Sequence, residues 1–249
     1  MTKISAIIIT KNEEEHIEEC LKSLLCVVDE IVVVDSFSTD RTEEICRKYT
    51  SRFYTNTFID YASQRNFAVN LAQHEYILAL DADEELSDKL QEKLLHLKPN
   101  LDANSYHFNR LNNYCGKWIK YGTWYNDKVI RLSKKEYAVW KGSVHETIDI
   151  SKSVFMPGNI LHYTASSMKK HFDKLCMYAN MWANERYKLG KKASIWTICL
   201  WPSVEFLRNY ILRLGFLDGY YGYVIARASA QYKFQKYAIL RSLRINKKN

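Results

Sequence analysis

Tyr76-Ile77-Leu78-Ala79-Leu80-Asp81-Ala82-Asp83-Glu84-Glu85 carries the reading of this chain. The apolar run ends abruptly in two carboxylates, Asp81 and Asp83, and Glu84-Glu85 read as the opening of a polar helix. A buried strand that delivers carboxylates at its C-terminal end is how an open α/β sheet presents acids to a ligand. Two carboxylates spaced i, i+2 can share a hard divalent cation that also takes diphosphate oxygens. Acids at an ordinary helix N-terminus, facing the positive end of its dipole, are the competing explanation. A matching pattern at the start of the chain weighs against it.

Ile4-Ser5-Ala6-Ile7-Ile8-Ile9 and Glu30-Ile31-Val32-Val33-Val34-Asp35 have the same form, short β-branched runs that stop at polar residues. Asn12 is expected to cap a helix with Glu13, Glu14 and Glu15 in its first turn and Ile17, Leu21, Leu24 and Leu25 as its apolar face. Asp40 or Thr39 is expected to start a helix through Tyr49, followed by a short strand near 53–55 and a helix over roughly 61–73. This alternation, with continuous apolar strands, predicts an α/β fold: a mostly parallel sheet flanked by helices. Beyond residue 100, 106–110 and 127–132 read as strands of a mixed or antiparallel extension, with Gly116, Gly122 and Gly142 at turns. From Ser166 the pattern is helical, broken at Pro202 and turning among Gly215, Gly219 and Gly222. The expected division is a catalytic domain over 1–165 and a helical, basic C-terminal extension over 166–249.

A length of 249 residues suits one large α/β domain or a domain with an appendage. Hydrophobic residues at 47% and charged residues at 26% are globular values, and 8 Gly with 3 Pro argue against disorder and repeats. The 6 cysteines form no C-x-x-C pair and read as free, largely buried thiols of a reducing compartment. No secretory signal pattern opens the sequence and no apolar run approaches the ~18 residues of a spanning helix, so a cytoplasmic protein is expected. The net charge of +8 is concentrated: residues 200–249 hold 9 of the 36 Lys and Arg but only 2 of the 28 acids.

Asp35, like the acids at 81 and 83, directly follows an apolar strand, and a carboxylate in that position needs a partner. Ser36, Ser38, Thr39 and Asp40 add hydroxyls and a second acid at a helix entrance, where backbone N–H groups can meet a base, ribose or phosphate. Simple capping explains Asp40 equally well.

These residues resemble a known family. Ile7-Ile8-Ile9-Thr10-Lys11-Asn12-Glu13, then Val33-Val34-Asp35-Ser36 with Ser38-Thr39-Asp40-Arg41-Thr42, then Gln64-Arg65-Asn66, then Asp81-Ala82-Asp83 look like family 2 glycosyltransferases of the Rossmann-like GT-A fold. Trp124-Tyr125-Asn126-Asp127, Ile130-Arg131-Leu132, Val144-His145-Glu146 and Gly215-Phe216-Leu217-Asp218-Gly219 resemble a bacterial subgroup that adds sugars to the lipopolysaccharide core or related surface glycans.

The resemblance implies inverting transfer from a nucleotide-diphosphate sugar, UDP-type favoured, to a glycan or lipid-linked glycan acceptor. Asp35 would accept a hydrogen bond from the nucleobase, Thr10, Asn12 and Glu13 would line the nucleotide pocket, and Arg65 would lie near the diphosphate. Asp83 would ligate Mg²⁺ or Mn²⁺, and Asp81 would bind the ribose or a water on the cation. His145 is the expected further ligand or diphosphate contact, with His162 its competitor. Inversion also needs a general base; Asp127 is preferred and Glu146 is the alternative. Trp118, Trp124 and Tyr125 could stack on a sugar ring, although core packing suits each of them better. Phe37 stands where the wider family often has Gly or Asn, and since Phe resists positive φ the turn is expected to be built differently or to belong to a subgroup with its own geometry, which leaves the nucleobase open.

The basic C-terminal segment, with Trp201, Phe206, Leu207, Tyr210, Ile211 and Leu214 among Arg208 and Arg213, suits an amphipathic helix at the inner membrane surface. A helix packed on the catalytic domain with a solvated basic face is the alternative. Two other functions compete. A sugar-phosphate nucleotidyltransferase would carry a Gly-rich loop where this chain has Thr10-Lys11-Asn12-Glu13-Glu14. A basic membrane- or nucleic-acid-binding module would leave the acids at 35, 81 and 83 unexplained, and no nucleic-acid motif is present.

Overall fold

The computed structural model describes residues 2–125, 127–142, 147, 148 and 152–245. The chain forms two compact units, Met1–Leu111 with Asp127–Tyr163 and Asn112–Asn126 with Thr164–Asn249.

The first unit opens with β1 (Ile4–Thr10), α1 (Ile17–Leu24), β2 (Glu30–Asp35), α2 (Thr42–Cys46), β3 (Phe53–Thr55), α3 (Tyr61–Leu71) and β4 (Tyr76–Asp81). It continues with β5 (Glu84–Leu86), α4 (Asp88–Leu97), β6 (Ser105–Tyr114), β7 (Lys117–Trp118), β8 (Asp127–Lys134), β9 (Trp140–Lys141), β10 (Thr147–Ile148) and β11 (Val154–Ala165), β7 and the last residues of β6 and β11 belonging to the second unit. The main sheet runs β3-β2-β1-β4-β8-β6-β11-β5. Its first four strands are parallel, and β4–β8, β8–β6 and β11–β5 pair antiparallel, as the sequence predicts for the extension.

Alternation along the parallel strands divides the core. Ile8, Val33, Leu78 and Leu80 pack with Ile17, Leu21 and Leu24 of α1 and with Leu90 and Leu94 of α4. Ile7, Val32, Val34, Ile77 and Ala79 pack on the other face with Ala68 and Val69 of α3. Burial on both faces is why these strands read as continuous apolar runs. Asp60 caps α3, its carboxylate accepting from the Ser63 amide at 2.7 Å.

Some expectations are corrected. α1 begins at Ile17, not after Asn12, because residues 13–16 form a turn closed by the His16 and Ile17 amides on the Glu13 carbonyl. Glu84 does not open a helix: it starts β5 and is 1% exposed. The thiols are free, but Cys26, Cys176 and Cys199 are exposed and only Cys20 and Cys46 are buried.

The second unit contains α5 (Met168–Lys188), α6 (Ile195–Leu207) and α7 (Gly219–Ile245). Ser167 and Ser194 cap the first two by accepting the Lys170 and Thr197 amides. Pro202 lies inside α6 rather than breaking it. A proline there removes one backbone hydrogen bond, yet the helix continues past it, with Ile198 and Glu205 buried on either side. The first turn of α7 needs glycine: a Cβ on Gly222 would meet the Gly215 carbonyl oxygen at 1.8 Å. Among the described residues no helix is long and apolar enough to cross a membrane.

Candidate active site

Three strand ends build the rim. In register, Thr10 of β1 lies beside Asp35 of β2, and Ile9 of β1 lies beside Asp81 of β4. The two acids therefore flank the central strand, two inter-strand spacings or about 10 Å apart at the backbone. Since neighbouring side chains alternate, Asp35 leaves the rim on the face of α1 and Asp81 on the face of α3.

Asp35 is 2% exposed, and its Oδ2 accepts the Ser38 amide at 2.7 Å while Oδ1 accepts the Ser38 hydroxyl. Between them Phe37 stands at φ 60°, so the turn is left-handed there despite its phenyl ring, unlike the differently built turn expected from sequence. Asn12 is likewise left-handed at φ 53°; its Oδ1 accepts the Thr39 amide at 2.8 Å, and its own amide donates to Ser38 Oγ at 2.8 Å. The Glu13 amide donates to Thr42 Oγ1 at 2.9 Å. The loops after β1 and β2 are thus laced together. Asp40 accepts the Thr42 amide and hydroxyl, the local capping explanation. Thr10 Oγ1 is buried at this rim with no protein hydrogen-bond partner.

On the other face the acids meet arginines. Arg65 of α3 donates from Nη2 to Asp81 Oδ1. Arg131 of β8 donates from Nη2 to Asp81 Oδ2 and to Glu84 Oε1, each at 2.6 Å. Arg110 of β6 reaches Glu84 Oε1 at 3.1 Å and Asp127 Oδ2 at 2.6 Å through Nη2 and 2.9 Å through Nε. Glu84 Oε2 also accepts the Asp81 amide at 3.1 Å. Burial alone would raise the Asp81 carboxyl, but Arg131 and Arg65 outweigh it and hold the group below the usual carboxylate range. Burial likewise opposes the charge on Arg131, and Asp81 and Glu84 hold its pKa above the ordinary value.

Asp83, in the turn after β4, has a different neighbour. Its Oδ2 lies 3.4 Å from His162 Nε2 of β11, with the two side chains 20% and 15% exposed. Among the described residues no three His, Cys, Asp or Glu side chains form a closed metal cage. A divalent cation that keeps waters and takes diphosphate oxygens needs only one or two protein ligands, and the Asp83 carboxylate is the ligand type that Mg²⁺ and Mn²⁺ prefer. The pair fits such an ion. His145 and Glu146 lie outside the described residues.

The structure brings the expected site residues Asp81, Arg65 and Asp127 into one charge network, and this network also contains Glu84, Arg110 and Arg131, to which the sequence reading gave no partners. Nothing local signals these partnerships, which span 16 to 50 residues for the ion pairs of Asp81. In the second unit Trp124 packs edge-on against Tyr114 and His171, a core role, and Tyr125 is 55% exposed.

Comparison with known proteins gives the family. The family model for glycosyl transferase family 2 matches residues 5–154, and the chain belongs to that family. An uncharacterized glycosyltransferase of Rickettsia felis is 30% identical, over 100% of this chain and 93% of the relative. The lipopolysaccharide core biosynthesis glycosyltransferase LpsC of Rhizobium meliloti is 30% identical, over 93% of this chain and 89% of its own. A mannosyltransferase of Pyrobaculum calidifontis, solved with GDP-Man and Mn²⁺, superposes with a TM-score of 0.55 at 14% identity, covering 96% of this chain and 86% of that one. The fold is GT-A and the protein is a glycosyltransferase, which sets aside the nucleotidyltransferase and the non-enzymatic module.

Proposed function

We propose that this enzyme transfers a sugar, with inversion, from a nucleotide-diphosphate donor of UDP type to a cell-surface glycan acceptor such as lipopolysaccharide core, using Mg²⁺ or Mn²⁺. The observation that carries it is the contrast between neighbours: the charge of Asp81 is matched by two arginines, whereas Asp83 faces the titratable His162. The likeness to LpsC supports the acceptor class, and the GDP-Man and Mn²⁺ bound by the Pyrobaculum enzyme support donor and cation chemistry.

In this reading Asp83 and His162 hold the cation, with His145 a further ligand. When bound, it neutralises charge developing on the leaving diphosphate. Asp35 has two acceptor bonds made and lone pairs left for a base imide. Thr10, Asn12 and Glu13 line the nucleotide site, the orphaned Thr10 hydroxyl taking a donor oxygen. Asp81 fixes Arg65 near the diphosphate. Both Arg110 contacts fall on Asp127 Oδ2, which leaves Oδ1 to receive a proton. The acceptor oxygen then bonds to the anomeric carbon, its proton passes to Asp127, and the bond to the diphosphate breaks with its electron pair on the leaving oxygen. Glu146 is the alternative base.

Hydrolysis and transfer assays with UDP- and GDP-sugars, with Mn²⁺ or with chelator, test the reading. Turnover of a UDP-sugar that needs the cation, with inverted product configuration by NMR, is expected. Full activity in chelator, or retained configuration, overturns it.

A further inference from the structure

Helix α6 is inside out. Its only charged side chain, Glu205, is 7% exposed and pairs with Lys233 of α7 at 3.4 Å, and with Arg208 at 2.6 Å. Ile198 and Asn209 complete the buried side, and Asn209 donates to Glu205. The opposite face carries Trp196, Leu200, Val204, Leu207 and, in the turn that continues the helix, Ile211, exposed by 71%, 57%, 48%, 54% and 49%. At 100° per residue Trp196, Leu200, Val204 and Leu207 fall within a stripe about 80° wide, centred about 140° from Glu205, and Ile211 follows in the π-helical turn Arg208–Leu212. A helix that buries its carboxylate and offers tryptophan and leucine outward is not patterned for water.

The charge around the stripe is of one sign. Between Leu189 and Leu217 the exposed charged groups are Lys191, Lys192, Arg208 and Arg213, and the only acid is the buried Glu205. Cations flanking an apolar stripe that carries tryptophan match the headgroup and acyl boundary of an anionic bilayer. A self-complementary protein contact would bring the same four cations of two copies together. At 13 residues, about 20 Å long, α6 can lie in such a boundary but not span it.

We propose that the Trp196–Ile211 face is a docking surface for an anionic phospholipid bilayer, on which α6 lies parallel to the membrane. It narrows the basic segment expected from sequence, keeping Leu207, Ile211, Arg208 and Arg213 and leaving out Phe206 and Tyr210, which are only partly exposed. The inference stands on this unit alone, so its failure leaves the donor reaction untouched.

Flotation of the full-length protein with phosphatidylglycerol/phosphatidylcholine vesicles and with phosphatidylcholine alone is the test. Binding to the anionic vesicles is expected, weakened roughly tenfold or more by Leu200→Glu with Leu207→Glu and by Lys191→Glu with Lys192→Glu. A variant counts only if its thermal transition matches the parent. A second measurement needs no disruptive change: brominated anionic lipid should quench tryptophan fluorescence, and Trp196→Phe with Trp201→Phe should remove most of that quenching while keeping vesicle binding. No binding by the parent, binding indifferent to the apolar substitutions, or a solution dimer dissolved by Leu200→Glu overturns the proposal.

Discussion

Arg131 Nη2 lies 2.6 Å from Asp81 Oδ2, and the same nitrogen lies 2.6 Å from Glu84 Oε1. Through Arg110 the chain of charges runs on to Asp127, and through Arg65 it reaches α3. The three acids Asp81, Glu84 and Asp127 meet the three arginines 65, 110 and 131 in one network. Their formal charges cancel, so the first carboxylate of the Asp81-Ala82-Asp83 motif is a structural member of this network, and the proposed cation ligand is the second.

Replacing Arg131 by Met should expose how much the network matters. The buried Glu84 and the partly exposed Asp81 would lose their shared partner, a change of about 3–5 kcal/mol. The melting temperature should fall by roughly 10 °C, read by circular dichroism, with Arg131→Lys intermediate. An unchanged transition would contradict the network.

Asp81 also sets an acid limb. Its folded pKa is depressed by Arg131 and Arg65 against the effect of burial, so its stabilisation is present above the unfolded value of about 3.9 and is lost as pH falls towards the folded value. The stability gap between the parent and Asp81→Asn, from urea midpoints, should therefore be constant above about pH 5 and shrink below pH 4. A gap that widens on acidification would be the wrong sign.

Phe37 holds φ 60° with its ring 57% exposed. A left-handed residue with a Cβ costs about 1–2 kcal/mol, part of which glycine would return through its looser unfolded chain. Phe37→Gly should raise the melting temperature by roughly 2 °C, whereas Phe37→Val, β-branched, should lower it. Both are read by differential scanning calorimetry.

Asp127→Asn keeps the shape of the pair with Arg110 and removes the proton acceptor. A lost general base lowers kcat by about 10²–10⁴-fold, with donor affinity unchanged by titration calorimetry. Near-normal kcat would move the role to Glu146.

How much of this was legible in the sequence depends on range. The strands β1, β2 and β4 were plain because each is a continuous apolar run buried on both faces. The acids at their ends were plain for the same reason. Glu84 was misread because two glutamates after a strand look solvated, and only arginines 26 and 47 residues later make its burial tolerable. Asn12 suited a helix cap by type, yet its partner is the Thr39 amide on another loop. His162 was noticed only as a competitor, since a lone histidine in a strand does not reveal that β11 runs beside the turn holding Asp83.

Titration of UDP into the parent, Asp83→Asn and His162→Ala proteins, each with Mn²⁺ and with chelator, tests the assignment of the cation site most directly. Tight UDP binding should require Mn²⁺ in the parent and fall at least roughly tenfold in both variants, to the level seen in chelator. Mn²⁺-dependent binding of full strength in Asp83→Asn would contradict it.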